Sequence, residues 1–184
     1  MPHRCVFLDR DGVINRAILK EGKPYAPRDL AEFEILPGVA EACGRLKSAG
    51  FLLVIATNQP DVGRGTLGQA VVEEIHRQVC RQLPVDRVEV CYDSGEGNPP
   101  SEFRKPRPGM LLRAARALDI DLGASYMVGD RWVDVECGRA AGCKTILVDY
   151  GYSEALKAQP DYTVRGLGEA ADIIIGLRNK SGVH

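Results

Sequence analysis

No stretch of this sequence approaches the roughly 18–20 consecutive apolar residues that span a bilayer, which excludes a membrane-spanning helix. Neither sign of charge dominates. With 24 Lys and Arg against 25 Asp and Glu, the formal net charge is −1, which argues against a dedicated nucleic-acid binder. Aromatic residues are few, at 6% with one Trp, yet the hydrophobic content of 45% is too high for a disordered chain. Histidine is scarcer still. His3, His76 and His184 stand far apart and form no metal-ligand spacing. The six cysteines include no C-x-x-C pair, and Cys5, Cys80 and Cys91 have the apolar neighbours of buried free thiols. A reducing compartment suits them better than a disulfide framework. Met1-Pro2-His3-Arg4 leads straight into a strand-like run, which leaves no room for a signal peptide. The expectation is one soluble, cytoplasmic, monomeric domain over residues 1–184, a length that one hydrophobic core can serve.

What is present alternates strand and helix. Cys5-Val6-Phe7-Leu8 is a short apolar run that stops at the polar turn Asp9-Arg10-Asp11-Gly12. A loop-rich stretch with Gly22, Pro24, Pro27 and Pro37-Gly38 follows. The apolar spacing predicts helices over 39–49, 69–83, 109–118, 133–141 and 170–177. Continuous apolar runs predict strands over 51–56, 88–92, 125–129 and 144–148, as expected for strands covered on both faces. The segment 93–108 has the Gly and Pro content of an ordered loop. This pattern argues for a doubly wound α/β fold with a Rossmann-like parallel sheet.

In such a sheet ligands bind beyond the carboxyl ends of the strands. The first strand ends in Asp9-Arg10-Asp11-Gly12, the second in Thr57-Asn58-Gln59, and the fourth in Gly129-Asp130-Arg131 with Asp134 one turn on. Lys105 sits in Arg104-Lys105-Pro106-Arg107-Pro108, just before the third helix. Parallel topology brings these groups to one rim. A carboxylate there can attack phosphorus to give an aspartyl-phosphate. Asp9, nearest the rigid strand, is the expected nucleophile, and Asp11 the general acid and then base. Two carboxylates repel a phosphate dianion, so a hard cation is needed, and Mg²⁺ suits oxygen ligands. Asp9, Asp130 and the backbone carbonyl of Asp11 can supply them. The Thr57 hydroxyl and Lys105 ammonium would offset charge on the transferring phosphoryl group. Taken singly these motifs say little, since Asp-x-Asp occurs in surface turns and Thr57-Asn58 can be a cap. Their order along the chain carries the inference.

With these residues in place, the chain resembles the haloacid dehalogenase superfamily of phosphotransferases. Phe7-Leu8-Asp9-Arg10-Asp11-Gly12-Val13-Ile14-Asn15 matches the first motif as used by the D-glycero-D-manno-heptose 1,7-bisphosphate 7-phosphatases and the related histidinol-phosphatases. Phe33-Glu34-Ile35-Leu36-Pro37-Gly38-Val39, Ala56-Thr57-Asn58-Gln59, Arg104-Lys105-Pro106-Arg107-Pro108-Gly109-Met110 and Met127-Val128-Gly129-Asp130-Arg131 match the rest. The resemblance implies Asp9 as nucleophile, Asp11 as acid/base, Thr57 and Lys105 on the phosphoryl group, and Asp130 on Mg²⁺. It implies substrate contacts from Asn58, Arg104 and Arg131, a small sugar phosphate as substrate, and no large cap domain. Only about 25 residues separate Gly12 from Pro37, too few for an inserted domain.

Two departures stand out. Pro60-Asp61 replaces the Ser-Gly that typically follows Thr-Asn-Gln, removing a backbone N–H and a hydroxyl. The zinc loop of three Cys and one His is also missing. Cys91 stands alone, Asp93 occupies a histidine position and Phe103 precedes Arg104, so no structural zinc is expected. A histidinol-phosphatase or another sugar-phosphate phosphatase would use the same catalytic residues. A receiver-type signalling module also combines Asp, Thr and Lys, but its phosphorylated Asp lies on a later strand.

Overall fold

The computed structural model describes residues 1–97 and 99–181, so His184 lies outside the described residues. Its elements, in chain order, are β1 (Cys5–Leu8), β2 (Ile18–Lys20), β3 (Lys23–Tyr25), α1 (Val39–Ser48), β4 (Leu52–Asn58), α2 (Pro60–Gly63), α3 (Gln69–Gln82), β5 (Arg87–Cys91), α4 (Gly109–Leu118), β6 (Tyr126–Gly129), α5 (Trp132–Ala141), β7 (Lys144–Val148), β8 (Tyr162–Val164) and α6 (Leu167–Ser181). Six strands form one sheet in the order β5-β4-β1-β6-β7-β8, and every neighbouring pair is parallel. This is the doubly wound α/β architecture that the strand–helix alternation predicts.

Strand β1 owes its central place to burial on both faces. Val6 and Leu8 point into one core layer with Val39, Leu46 and Ile174 of α1 and α6. Cys5 and Phe7 point into the other with Met110, Leu111 and Cys137 of α4 and α5. The chain runs outward from β1 through β4 to β5, then returns to β1's other side and runs through β6, β7 and β8. That reversal opens a crevice at the carboxyl end of β1, where a doubly wound sheet binds its ligands.

The structure departs from the sequence reading in several places. The Pro- and Gly-rich stretch before α1 holds an antiparallel hairpin, with Ile18 opposite Tyr25. Its turn residues Glu21 and Gly22 have φ of 50° and 74°, the left-handed pair of a tight two-residue hairpin turn. Glu at the first of these positions conceals the turn, because Asn or Asp is the usual marker there. The three-residue β8 adds an edge strand, and α6 starts earlier and runs longer than 170–177. Cys80 is exposed, not buried. The inward stripe of α3 is Val72, Ile75, His76 and Val79, and Cys80 lies off it. The other five thiols, including Cys43, Cys137 and Cys143, are buried, and all six are unpaired. Among the described residues no helix is long and apolar enough to cross a membrane.

Candidate active site

Asp9 is the first residue beyond β1, and its N–H donates to the Val128 carbonyl of β6, 2.9 Å away. The chain then turns at Gly12, with φ of +87°. A Cβ at Gly12 would collide with the Asp130 carboxylate, so glycine here serves both the left-handed backbone and the close approach of two loops. The turn closes through Gly12 N–H to Asn15 O at 2.8 Å, and the Tyr150 hydroxyl donates to Gly12 O at 2.8 Å.

Lys105 is the most tightly held group. Its buried ammonium donates to Asp134 Oδ1 at 2.6 Å and to Ala56 O at 2.7 Å, and it pairs with Asp9 Oδ1 at 2.9 Å. Three acceptors match its three donors. Burial alone would lower its pKa, but Asp134 and Asp9 outweigh that and hold it above the usual lysine range. The Asn58 amide fixes the Lys105 backbone at two points, Nδ2 donating to Lys105 O and Oδ1 accepting from Lys105 N, each at 3.0 Å. Asp134 also accepts from Arg131 N–H at 3.1 Å through Oδ2, which caps α5. The sequence placed Asp134 near the site, but only the fold shows that it anchors Lys105.

Asp9, Asp130 and Asp134 each offer an oxygen, all within 4.8 Å of one another. Burial pushes Asp9 up to about 6, against the opposing charge of Lys105. Asp130 is raised well above the usual carboxylate range, by burial first and then by Asp9 and Asp134. Both Asp130 oxygens are buried without a hydrogen-bond partner. The Tyr152 hydroxyl pulls its pKa the other way without reaching ordinary hydrogen-bond geometry. A clustered, under-satisfied set of hard oxygen donors is what a divalent cation such as Mg²⁺ fits.

The Asp11 carboxylate lines the same pocket but is not one of that three-carboxylate cluster. It accepts from Arg10 Nε and Nη2 at 3.2 and 3.0 Å, from Asn15 Nδ2 at 2.9 Å and from Gln59 Nε2 at 2.8 Å. Gln59 Nε2 also donates to Thr57 Oγ1 at 3.0 Å, leaving the buried Thr57 hydroxyl its own proton to give. Gln59 thus couples two of the expected site residues, a role its place in the motif did not reveal.

Asp9, Asp11, Asn58, Gln59, Lys105 and Asp130 line a cavity of about 260 Å³. Arg104, Arg131, Arg64 and Lys23 stand around its mouth with Tyr25 and Glu154. Arg131 forms a two-point pair with Glu154, Nε to Oε2 at 2.9 Å and Nη2 to Oε1. Arg104 Nη1 donates to Asp93 O at 2.6 Å. Arg64, Lys23 and Tyr25 are additions of the fold. The hairpin and the C-terminal end of α2 carry them to the pocket, and no local motif marks them. The fold therefore brings Asp9, Asp11, Asn58, Arg104, Lys105, Asp130 and Arg131 to one crevice, whereas the buried Thr57 does not line it and lies against Gln59, which does.

The HAD-hydrolase-like family model matches residues 102–170. The D-glycero-D-manno-heptose-1,7-bisphosphate 7-phosphatase of Thermosynechococcus vestitus is 35% identical over 195 residues, covering 95% of this chain and 96% of that protein. The chain belongs to the heptose-bisphosphate phosphatase family of haloacid dehalogenase-like hydrolases. Other members agree. The D-glycero-alpha-D-manno-heptose-1,7-bisphosphate 7-phosphatase of Burkholderia mallei is 36% identical over 80% of each chain. A crystal structure of the B. bronchiseptica D,D-heptose 1,7-bisphosphate phosphatase, complexed with magnesium and phosphate, superposes with a TM-score of 0.80. It is 29% identical, covering 95% of this chain and 99% of that one. As a haloacid dehalogenase-like phosphatase, this chain is a phosphoric monoester hydrolase.

Proposed function

We propose that this protein is a Mg²⁺-dependent phosphatase that removes the 7-phosphate of D-glycero-D-manno-heptose 1,7-bisphosphate through an aspartyl-phosphate. The observation that carries the reading is the Asp130 carboxylate, buried with both oxygens unpartnered beside Asp9. Such a group is costly unless a cation or proton completes it. Asp9, Asp130 and the Asp11 backbone carbonyl would hold Mg²⁺. When bound, the ion supplies the positive charge that lets carboxylates and a phosphate dianion share the pocket.

The chain's own groups then divide the work. An Asp9 carboxylate oxygen attacks phosphorus, the bond from phosphorus to the sugar oxygen breaks, and Asp11 gives that oxygen its proton. Water then attacks the aspartyl-phosphate, passes a proton to Asp11 and displaces Asp9 with release of inorganic phosphate. Lys105 and Thr57 offset charge on the phosphoryl oxygens. Lys105 is preorganised, since Asp134 and Ala56 O fix its position before substrate enters. Arg104 and Arg131 stand where the remainder of the substrate would lie, and the pairing of Arg131 with Glu154 sets the plane of its guanidinium.

The proposal extends to a zinc-free loop. The Asp93 carboxylate accepts from Gly95 N–H at 2.9 Å and Ser101 N–H at 2.5 Å, which organises the described part of the segment by hydrogen bonds. Phe103 packs against the core under the Arg113 guanidinium, 4.3 Å from its centroid. One sheet with two core layers supports a single domain, and six unpaired thiols support a cytoplasmic setting. The deciding experiment measures phosphate release from the heptose bisphosphate, histidinol phosphate and simple sugar monophosphates, with and without Mg²⁺. The bisphosphate should give the highest kcat/KM, and Asp9→Asn should abolish turnover on all of them. A preference for histidinol phosphate, or substantial activity in Asp9→Asn, would overturn the reading.

A further inference from the structure

We propose that His76, on α3, is a positioning residue for the acid–base step and acts through Arg10 on Asp11. The inference rests on the reading of Asp9 as nucleophile and Asp11 as acid and base. Arg10 is fully buried, which is unusual for a charged side chain. Its Nε and Nη2 are spent on Asp11, at 3.2 Å and 3.0 Å to Oδ1 and 3.1 Å to Oδ2. The remaining nitrogen, Nη1, lies 3.2 Å from His76 Nε2. A guanidinium donates and never accepts, so Nε2 must be the acceptor and the ring's proton must sit on Nδ1. The ring is therefore neutral. Burial, with the charge of Arg10 added, pushes the imidazole down to about 4, so this state persists across the working pH range.

A space-filling core histidine would explain the burial of His76 but not this contact. Among the described residues Asp11 is the one carboxylate paired with Arg10, and His76 supplies the one hydrogen-bond partner of its buried Nη1. A buried donor that loses its partner pulls its side chain toward any other acceptor, and the Arg10 fork sets the rotation of Asp11. Asn15 and Gln59 also hold Asp11, so loss of His76 should misplace the carboxyl without releasing it.

The experiment compares how substitutions at His76 affect substrates with poor and good leaving groups. A sugar alkoxide needs the proton that Asp11 delivers, whereas 4-nitrophenolate leaves without one. The quantity read is kcat/KM, which reports the steps through phosphoryl transfer to Asp9. His76→Phe fills the space and removes the acceptor. It should lower kcat/KM for the sugar phosphate about tenfold more than for 4-nitrophenyl phosphate, a fraction of what general acid catalysis contributes. His76→Gln, whose side-chain oxygen can replace Nε2, should return the ratio close to that of the parent. Should His76→Phe not fold, His76→Leu carries the same comparison. A parental ratio in the folded variant lacking the acceptor overturns the inference, as does a His76→Gln enzyme as impaired as His76→Phe. Asp9→Asn keeps the two levels apart. Activity in that variant would remove the underlying mechanism, whatever the His76 ratio shows.

Discussion

Replacing Asp130 by Asn should stabilise the Mg²⁺-free protein while abolishing its response to Mg²⁺. The carboxyl is buried, with ligand oxygens of Asp9 and Asp134 within 4.8 Å. Two unit charges at that spacing repel by about 3.5 kcal/mol at an effective dielectric of 20. Lys105 cancels part of this and shared protonation more, leaving a net gain of about 1–2 kcal/mol. For a chain of this size that raises Tm by about 3–6 °C. The pH dependence follows from Asp9, whose folded-state pKa is about 6, above an unfolded value of about 3.9. Between those values the folded state binds more protons, so the parent loses stability as pH rises through that window. The advantage of Asp130→Asn should therefore be small near pH 5 and larger above pH 7, as Asp130, itself raised well above the usual carboxylate range, loses its proton. Thermal unfolding at both pH values, with and without Mg²⁺, reads all of this. A less stable metal-free variant, or one that Mg²⁺ still stabilises like the parent, would refute the reasoning.

Asp134→Ala removes the 2.6 Å partner of a buried lysine, which should cost about 3–5 kcal/mol in unfolding free energy. It should also lower kcat more than it raises KM, because Lys105 loses its fixed position. Arg104→Ala should raise KM for a bisphosphate far more than for a monophosphate. Equal effects on the two would leave Arg104 with no part in holding the second phosphate. Asp93→Ala should loosen the segment before Lys105, seen as faster amide exchange at Gly95 and Ser101, whose N–H groups its carboxylate accepts. Metal analysis of protein purified without added zinc should give well under one equivalent, and stoichiometric zinc lost on Cys91→Ser would contradict the zinc-free reading.

The ends of the strands were legible because each apolar run stops abruptly at a polar turn. That is why the sequence alone assigns Asp9, Thr57 and Asp130 to one rim. Lys105 was legible as the cation for the phosphoryl group, but its partner Asp134 lies 29 residues away on another element. No local pattern encodes that distance. His76 and Arg10 are 66 residues apart, and the sequence offered His76 only as one of three scattered histidines with no ligand spacing. Gln59 stood inside a recognised motif, yet its function depends on which way one amide points. Arg131 was expected at the substrate, and it does line the pocket. Its pairing with Glu154 arises from an irregular segment 23 residues on, where periodicity gives no signal. The hairpin was missed for a different reason, since three-residue strands are too short to show alternation.

That hairpin belongs to an excursion pinched shut at its base. Arg16 N–H donates to Glu34 O and Leu36 N–H to Ile14 O, each at 2.9 Å, and the Arg16 and Glu34 side chains pair at 2.8 Å. The segment thus begins and ends at nearly the same point, while its tip supplies Lys23 and Tyr25 to the pocket wall. Lengthening such a closed loop costs little, since each doubling adds only about 0.6 kcal/mol of closure entropy. The residues proposed to handle phosphate lie on strand ends and a separate loop, outside the pinch. Evolution or an engineer can therefore rewrite residues 17–33 as a cassette, changing which molecules are admitted without renegotiating the chemistry beneath. A library confined to that span should yield folded proteins with altered substrate ranking and an intact response to Mg²⁺.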